Sequence, residues 1–255
     1  MSEKVKSRYC ELTARTPRGD VTYLLRRSSR RRTIEISISA EADLRVAAPS
    51  WTPEKEICRF IVSRFDWISA RLKEASAARR YVQQRDYAHG QEFLFLGRRY
   101  PLMTERVPSV KRARIRFDED GWLVTLPGSA DRRTVRAMIQ KRLIGWYRQQ
   151  AQEVFGGRVF HFVRKMKLEP MTIAVKTQKR IWGSCHYRDK TIALNWLLVL
   201  APRDVIDYVI IHELAHLRHP DHSSRFWAFV EKVMPDYRLC NHWLKEHRLD
   251  MQLPA

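Results

Sequence analysis

The chain has 255 residues, 44% hydrophobic and 30% charged, a composition that belongs to globular proteins and excludes a disordered chain. Its 48 Lys and Arg against 28 Asp and Glu leave a net charge of +20, so the surface should attract polyanions, nucleic acid or nucleotides, more weakly as salt rises. The longest apolar runs, such as Trp196 to Ala201, fall far short of the ~20 residues that span a bilayer, and no membrane role is expected.

The first twenty residues hold no apolar core, so no export signal and a cytoplasmic location are expected. Cys10, Cys58, Cys185 and Cys240 are scattered without a Cys-x-x-Cys pair. In the cytoplasm they read as reduced thiols and not as a four-cysteine zinc site.

The opening third reads as short strands. "VTYLLRRS" is followed by "RRRTIEISIS", in which Ile34, Ile36 and Ile38 alternate with Glu35 and Ser37, the period of a half-buried strand; "DLRVAAP" then stops at Pro49. The run "RRSSRRRT", Arg26 to Thr33, reads equally as a basic edge or loop that meets polyanions and as charge that keeps an exposed strand edge from pairing. From about Pro53 to Arg80 the apolar residues Ile57, Ile61, Phe65 and Ile68 recur at helical spacing. Ser50 or Thr52 would be the N-cap, with Pro53 and Glu54 in the first turn.

"HGQEFLFLGRRYPLM" predicts a hairpin turning at Gly97, and "ARIRFDEDGWLVTLP" another turning at Asp120-Gly121. The polar "PGSADRRT" places a domain boundary near Gly128, giving a β-rich N-terminal region with one long helix, 1–128, and a second region, 129–255. A long helix follows from about Thr134 to Val163, with an interruption expected at Gly156-Gly157. Two or three strands come next, turning at Gly183 and at Arg188-Asp189, and the remainder is helical with breaks at Pro220 and Pro235. No internal repeat is evident. The fold class is α+β: a β-rich N-terminal region, then a region with a small sheet and a metal-binding helix.

That helix is "VIIHELAHLRHPDH". An α-helix turns 100° per residue, so His212 and His216 lie one above the other and can both face one ion. Glu213 is offset from the ion but within reach of a water beside it. His-Glu-x-x-His on a helix is a zinc-hydrolase signature of two ligands and a general base. A catalytic zinc takes three protein ligands. His219 and His222 both lie just beyond; Pro220 should end the helix, and the turn favours His222, which could return from a new direction. Glu231 on the following helix is a third option, its alternative being an exposed helical charge. Asp221 or Ser223 would cap that helix. The expected cofactor is Zn2+, with His212, His216 and His222 as ligands and Glu213 as base.

With its flanks included, the sequence resembles the YgjP-like metallopeptidase family, itself related to SprT-like and Wss-like proteases. The residues that carry the resemblance are "RRRTIEI", "LRVAAP", "GRRYPL", "KRIWGSC", "IALNWLLVLAP", "DYVIIHELAHL", "DHSSRFW" and "MPDY", from about Leu25 to Glu246. The resemblance implies a zincin-like fold, the metal set His212, His216 and His222 with Glu213 as base, and zinc-dependent hydrolysis. The family commonly has Asn where Asp221 stands here. Related SprT-like and Wss-like proteins act on proteins attached to DNA, a setting that the charge would suit.

Other residues have double readings. Gly183 would permit a close approach or a tight turn beside the zinc helix. Trp182 reads as cleft wall or as core, and Cys185 as an inert thiol before a nucleophile. His186, Tyr187, Tyr208 and Tyr237 are candidate hydrogen-bond donors to a reacting oxygen. Lys179 and Arg180 could meet a phosphate or simply face water. Asn195 and Trp196 are expected to support the helix without chemistry, and His161, His242 and His247 have no metal spacing. Three functions compete: a zinc peptidase acting on a peptide or protein, a metal-dependent hydrolase of nucleoside triphosphates, and a nucleic-acid-binding module with a structural metal.

Overall fold

A computed structural model of the chain describes residues 9–39, 42–83, 86–129, 131–170, 172–178 and 181–253. Contacts divide it into two units, Met1–Gln84 and Arg85–Ala255.

Among its described residues the first unit is a four-stranded sheet with two helices. Its strands are β1 (Cys10–Ala14), β2 (Val21–Ser28), β3 (Glu35–Ile38) and β4 (Leu44–Pro49), in the order β1-β2-β4-β3. The central pair, β2 and β4, is parallel; the outer pairs are antiparallel. Tyr23, Leu25, Val46 and Ala48 point from alternate positions into a core closed by Ile57, Ile61 and Ile68. The single helix expected from Pro53 is two: α1 (Glu54–Ser63) and α2 (Phe65–Gln83), parted at Arg64, whose φ of −113° leaves the helical region. Neither Ser50 nor Thr52 caps α1. Pro53 occupies the N-cap with extended backbone and no side-chain bond, and the carbonyl of Thr52 instead accepts from Arg27 at 2.6 Å.

The second unit opens with another sheet, β5 (Glu92–Phe95), β6 (Arg98–Val107), β7 (Arg114–Asp118) and β8 (Gly121–Pro127), in the order β5-β6-β8-β7. Both hairpins turn where the sequence predicts, with Gly97 at φ +80° and Gly121 at φ +116°. A Cβ on Gly121 would stand 2.4 Å from the carbonyl oxygen of Pro101, so no other residue fits there without a shift.

This sheet repeats the first. Strand order and the sequence of antiparallel, parallel and antiparallel pairs are identical, and both parallel pairs end on a proline, Ser28 opposite Pro49 and Val107 opposite Pro127. A helix follows the parallel pair in each case. The expectation of no repeat is corrected at the level of strand pairing, which the letters alone do not display.

The boundary lies between residues 84 and 85, not near Gly128. The physical reason is one continuous core: Phe93, Phe95, Leu102, Trp122 and Val124 pack with Ile139, Leu143 and Tyr147 of the next helix. That helix, α3 (Arg132–Met166), is capped by Asp131, whose carboxylate accepts from the backbone N–H of Arg133 and Thr134 at 2.9 and 3.0 Å. It runs straight through Gly156-Gly157 because its buried residues recur every fourth position from Ile139 to Val159.

A three-stranded sheet follows: β9 (Thr172–Lys176), β10 (Gly183–His186) and β11 (Thr191–Asn195), in the order β10-β11-β9. β10 is therefore an edge. "WLLVL" forms a short 3-10 helix, Trp196–Leu200, whose Val199 and Leu200 carbonyls accept from the N–H groups of Leu96 and Gly97 at 3.0 Å each. The chain ends in α4 (Arg203–Ala215), α5 (Ser224–Val233) and α6 (Tyr237–Glu246). Among the described residues no helix is long and apolar enough to cross a membrane, and all four cysteines are free.

Candidate metal centre

Ten of the thirteen residues of α4 are buried, so each polar side chain on it needs a reason to be there. Asp207 has one: Arg158 of α3 reaches both its oxygens, the Nε donating at 2.6 Å. His212, Glu213 and His216 share a different purpose.

The helix ends at Ala215, with His216 as its C-cap, and the chain turns through "LRHPDHS" before α5. The turn carries His222 back to the first two imidazoles. One potential ligand atom from each of His212, His216 and His222 lies within 4.8 Å of the others. The Nε2 atoms of His212 and His222 are 3.1 Å apart. Two nitrogens sharing a tetrahedral zinc with bonds of about 2.0–2.1 Å would sit roughly 3.3 Å apart. The donor set fits the ion. Phe226, fully buried on α5, has its ring centroid 4.6–5.0 Å from those of all three histidines. Nδ1 of His216 meets the carbonyl of His219 at 3.2 Å, which orients the opposite nitrogen, while Nδ1 of His212 is buried without a hydrogen-bond partner.

Burial, then the neighbouring His216 and His222, pulls the His212 pKa down to about 3, so this ring is neutral across the physiological range, as a ligand must be. Burial also lowers that of His216. Glu213 is 6% exposed, and burial pushes its carboxyl up to about 8. It lies against the edge strand: a Cβ at Gly183 would stand 2.6 Å from its Cγ and 2.7 Å from its Oε1.

The backbone of that edge is partly free. Asn195 N–H donates to the Trp182 carbonyl at 2.8 Å, and Gly183 and Cys185 fall opposite Leu194 and Ile192. In an antiparallel pair the bonded residues alternate, so the N–H and C=O groups of Gly183 and Cys185 point away from β11. Asn195 pins the approach to this strand, its side-chain amide donating to the carbonyls of Gln178 and Ile181 at 2.7 and 3.1 Å.

The other candidates lie elsewhere. The ring of His219 packs on Phe229, outside the three-histidine group. Glu231 pairs with Arg238 at 2.6 Å. Tyr208, one turn before His212, has its centroid 5.9 Å from that ring; it stacks with Tyr237, which stacks with Trp227. Tyr187 is exposed and accepts from Arg188. Trp182 is half-buried against the core, and His186 ends β10 exposed. Burial and Glu213 push the Cys185 thiol up to about 11, which keeps it protonated and unreactive. Lys179 and Arg180 lie outside the described residues. His161 is exposed, His242 pairs with Glu246, and His247 stacks on Trp243. Of the basic run, Arg27 serves the loop at Thr52 and Arg31 pairs with Glu35. Sequence reading missed two features: Asp207, a lone charge within "VIDYVII" whose partner is 49 residues away, and the aromatic floor at Phe226, four residues after His222.

Over residues 32–247 the sequence matches the family described as YgjP-like, metallopeptidase domain. The chain belongs to that family. All four site residues fall within the matched span. Among solved structures the chain is similar to the jannalysin metallopeptidase zymogen of Methanocaldococcus jannaschii, at 19% identity over 36% of this chain and 94% of that one, with a TM-score of 0.34. It is also similar to the abylysin zymogen of Pyrococcus abyssi, at 23% identity over 41% and 95%, with a TM-score of 0.30. No curated protein matches. Membership in the YgjP-like family makes this a metallopeptidase-type domain.

Proposed function

We propose that the protein is a zinc-dependent peptidase that cleaves an extended peptide or protein segment laid along β10. The observation that carries this reading is the convergence of His212, His216 and His222 beside a buried Glu213, at a strand edge with unpaired backbone groups.

His212, His216 and His222 would hold the ion. Zinc so bound supplies Lewis acidity, polarising a carbonyl and lowering the pKa of water from about 15.7 towards ~7. The chain supplies the rest. Glu213 takes the proton of the attacking water and passes it to the leaving amine. The free N–H and C=O groups of Gly183 and Cys185 pair with the substrate backbone by strand addition, and this selects an extended peptide. Phe226 and Trp227 wall the histidines and restrict water. Nucleoside triphosphates have no use for a strand edge, so the peptide reading is preferred to the nucleotide one. With a charge of +20, the protein would work near polyanions such as nucleic acid, and the cytoplasm is the proposed location.

The test is a parallel turnover screen of zinc-loaded wild type and Glu213→Gln on a quenched peptide library, with and without DNA, and on nucleotides. Peptide cleavage lost in the variant and on chelation is expected. Pyrophosphate or phosphate release from nucleotides, with no peptide cleaved, would overturn the reading. Salt-steep DNA binding unchanged by Glu213→Gln, with no turnover of any substrate, would point instead to the binding module.

A further inference from the structure

Gly183 has no conformational reason to be glycine. Its φ lies outside the left-handed region in which Gly19, Gly90, Gly97 and Gly121 are found, so its backbone is open to any residue. What excludes a side chain is one neighbour. A Cβ would stand 2.6 Å from Cγ, 2.7 Å from Oε1 and 2.8 Å from Cδ of Glu213, and all three nearest atoms belong to that residue. Cγ moves only with rotation about the Cα–Cβ bond, so turning the carboxylate alone does not relieve the clash. Glu213 is 6% exposed on a helix whose other faces are packed, which leaves it little room to withdraw.

We infer that Gly183 is a positioning residue for Glu213: the missing side chain lets the edge strand lie flush against the carboxylate and so fixes where the base stands. The inference rests on the peptidase reading for its consequence and deepens it. The residue that seats the base also offers its own N–H and C=O at the free edge. One glycine therefore sets the spacing between the base and a peptide paired to β10. A methyl group there would displace the base while leaving the three imidazoles, held by α4, the following turn and Phe226, where they are.

Four full-length chains test this: wild type, Gly183→Ala, Glu213→Ala and the double variant. Thermal unfolding without added metal should show Gly183→Ala lowering the midpoint in the wild-type background and not in the Glu213→Ala background, the signature of a direct contact. Zinc affinity by chelator competition should stay at the wild-type level in Gly183→Ala. On the best peptide from the library, kcat should fall about 100-fold with KM unchanged, as when a contact used only in the transition state is lost. Equal destabilisation in both backgrounds overturns the inference, and so does full kcat in folded, zinc-loaded Gly183→Ala. Should Gly183→Ala alone fail to fold, folding restored in the double variant supports the inference and failure of both overturns it. A wild type that cleaves no peptide removes the peptidase reading, and the thermal comparison still decides the contact.

Discussion

At the scale of the residue, the proposed third ligand is where two histidines part. His222 is held by a turn and by Phe226, whereas His219 gives its carbonyl to His216 and its ring to Phe229. His222→Ala should therefore weaken zinc binding by more than about 100-fold, beyond what losing an outer partner costs. His219→Ala should weaken it far less, since any side chain supplies the same carbonyl. Competition against a chromogenic chelator separates the two, and equal losses would contradict the assignment. The thiols offer a second check. Burial and Glu213 raise the Cys185 pKa to about 11, so its thiolate is scarce at pH 7.5 and grows with pH up to that value. Exposed Cys10 should react first with a thiol reagent. Labelling of Cys185 should be slow in the native state, accelerate as pH rises and become complete on denaturation. Rapid labelling at neutral pH would contradict the half-buried placement beside Glu213.

At the scale of the element, α3 anchors α4. Asp207 is buried with a side-chain exposure of 8%, and its charge is matched by Arg158. Arg158→Ala leaves that carboxylate unpaired inside the protein and should cost about 3 kcal/mol in denaturant unfolding. The double variant Arg158→Ala with Asp207→Asn should recover part of the loss. The same helix carries its own weak point. Gly156 and Gly157 lie exposed within α3, with nothing within 4 Å of a Cβ at either. Gly156→Ala should then stabilise the protein by about 0.8 kcal/mol, the difference in helix propensity, and a loss of stability would mean that the helix does not run through this pair.

At the scale of the whole molecule, two units have separate cores with no residue in common. A fragment of residues 86–255 should fold cooperatively and bind one zinc, with thermal stability that rises with zinc concentration. A fragment that stays unfolded would show that the second core depends on the first unit. The net charge of +20 predicts binding to DNA or RNA whose logarithmic affinity falls linearly with the logarithm of salt. Filter binding across a salt series measures the slope, and no binding at low salt would exclude a nucleic-acid role.

The sequence by itself determined the local features. Strand alternation at Ile34, Ile36 and Ile38, hairpin turns at Gly97 and Gly121, and the histidine spacing on α4 all follow from periods of two and 3.6 residues, which letters record directly. Tertiary structure alone decided what depends on partners distant in the chain. The same pairing order in two sheets, the unit boundary at residues 84 and 85, the bond between Arg158 and Asp207, and the contact of Gly183 with Glu213 leave no periodic trace. Each is fixed by which surfaces meet on folding: aromatic residues of β5–β8 against α3, and an edge strand against a buried carboxylate. The unbroken run through Gly156-Gly157 makes the same point, since packing of a buried face outweighs the propensity of one or two residues.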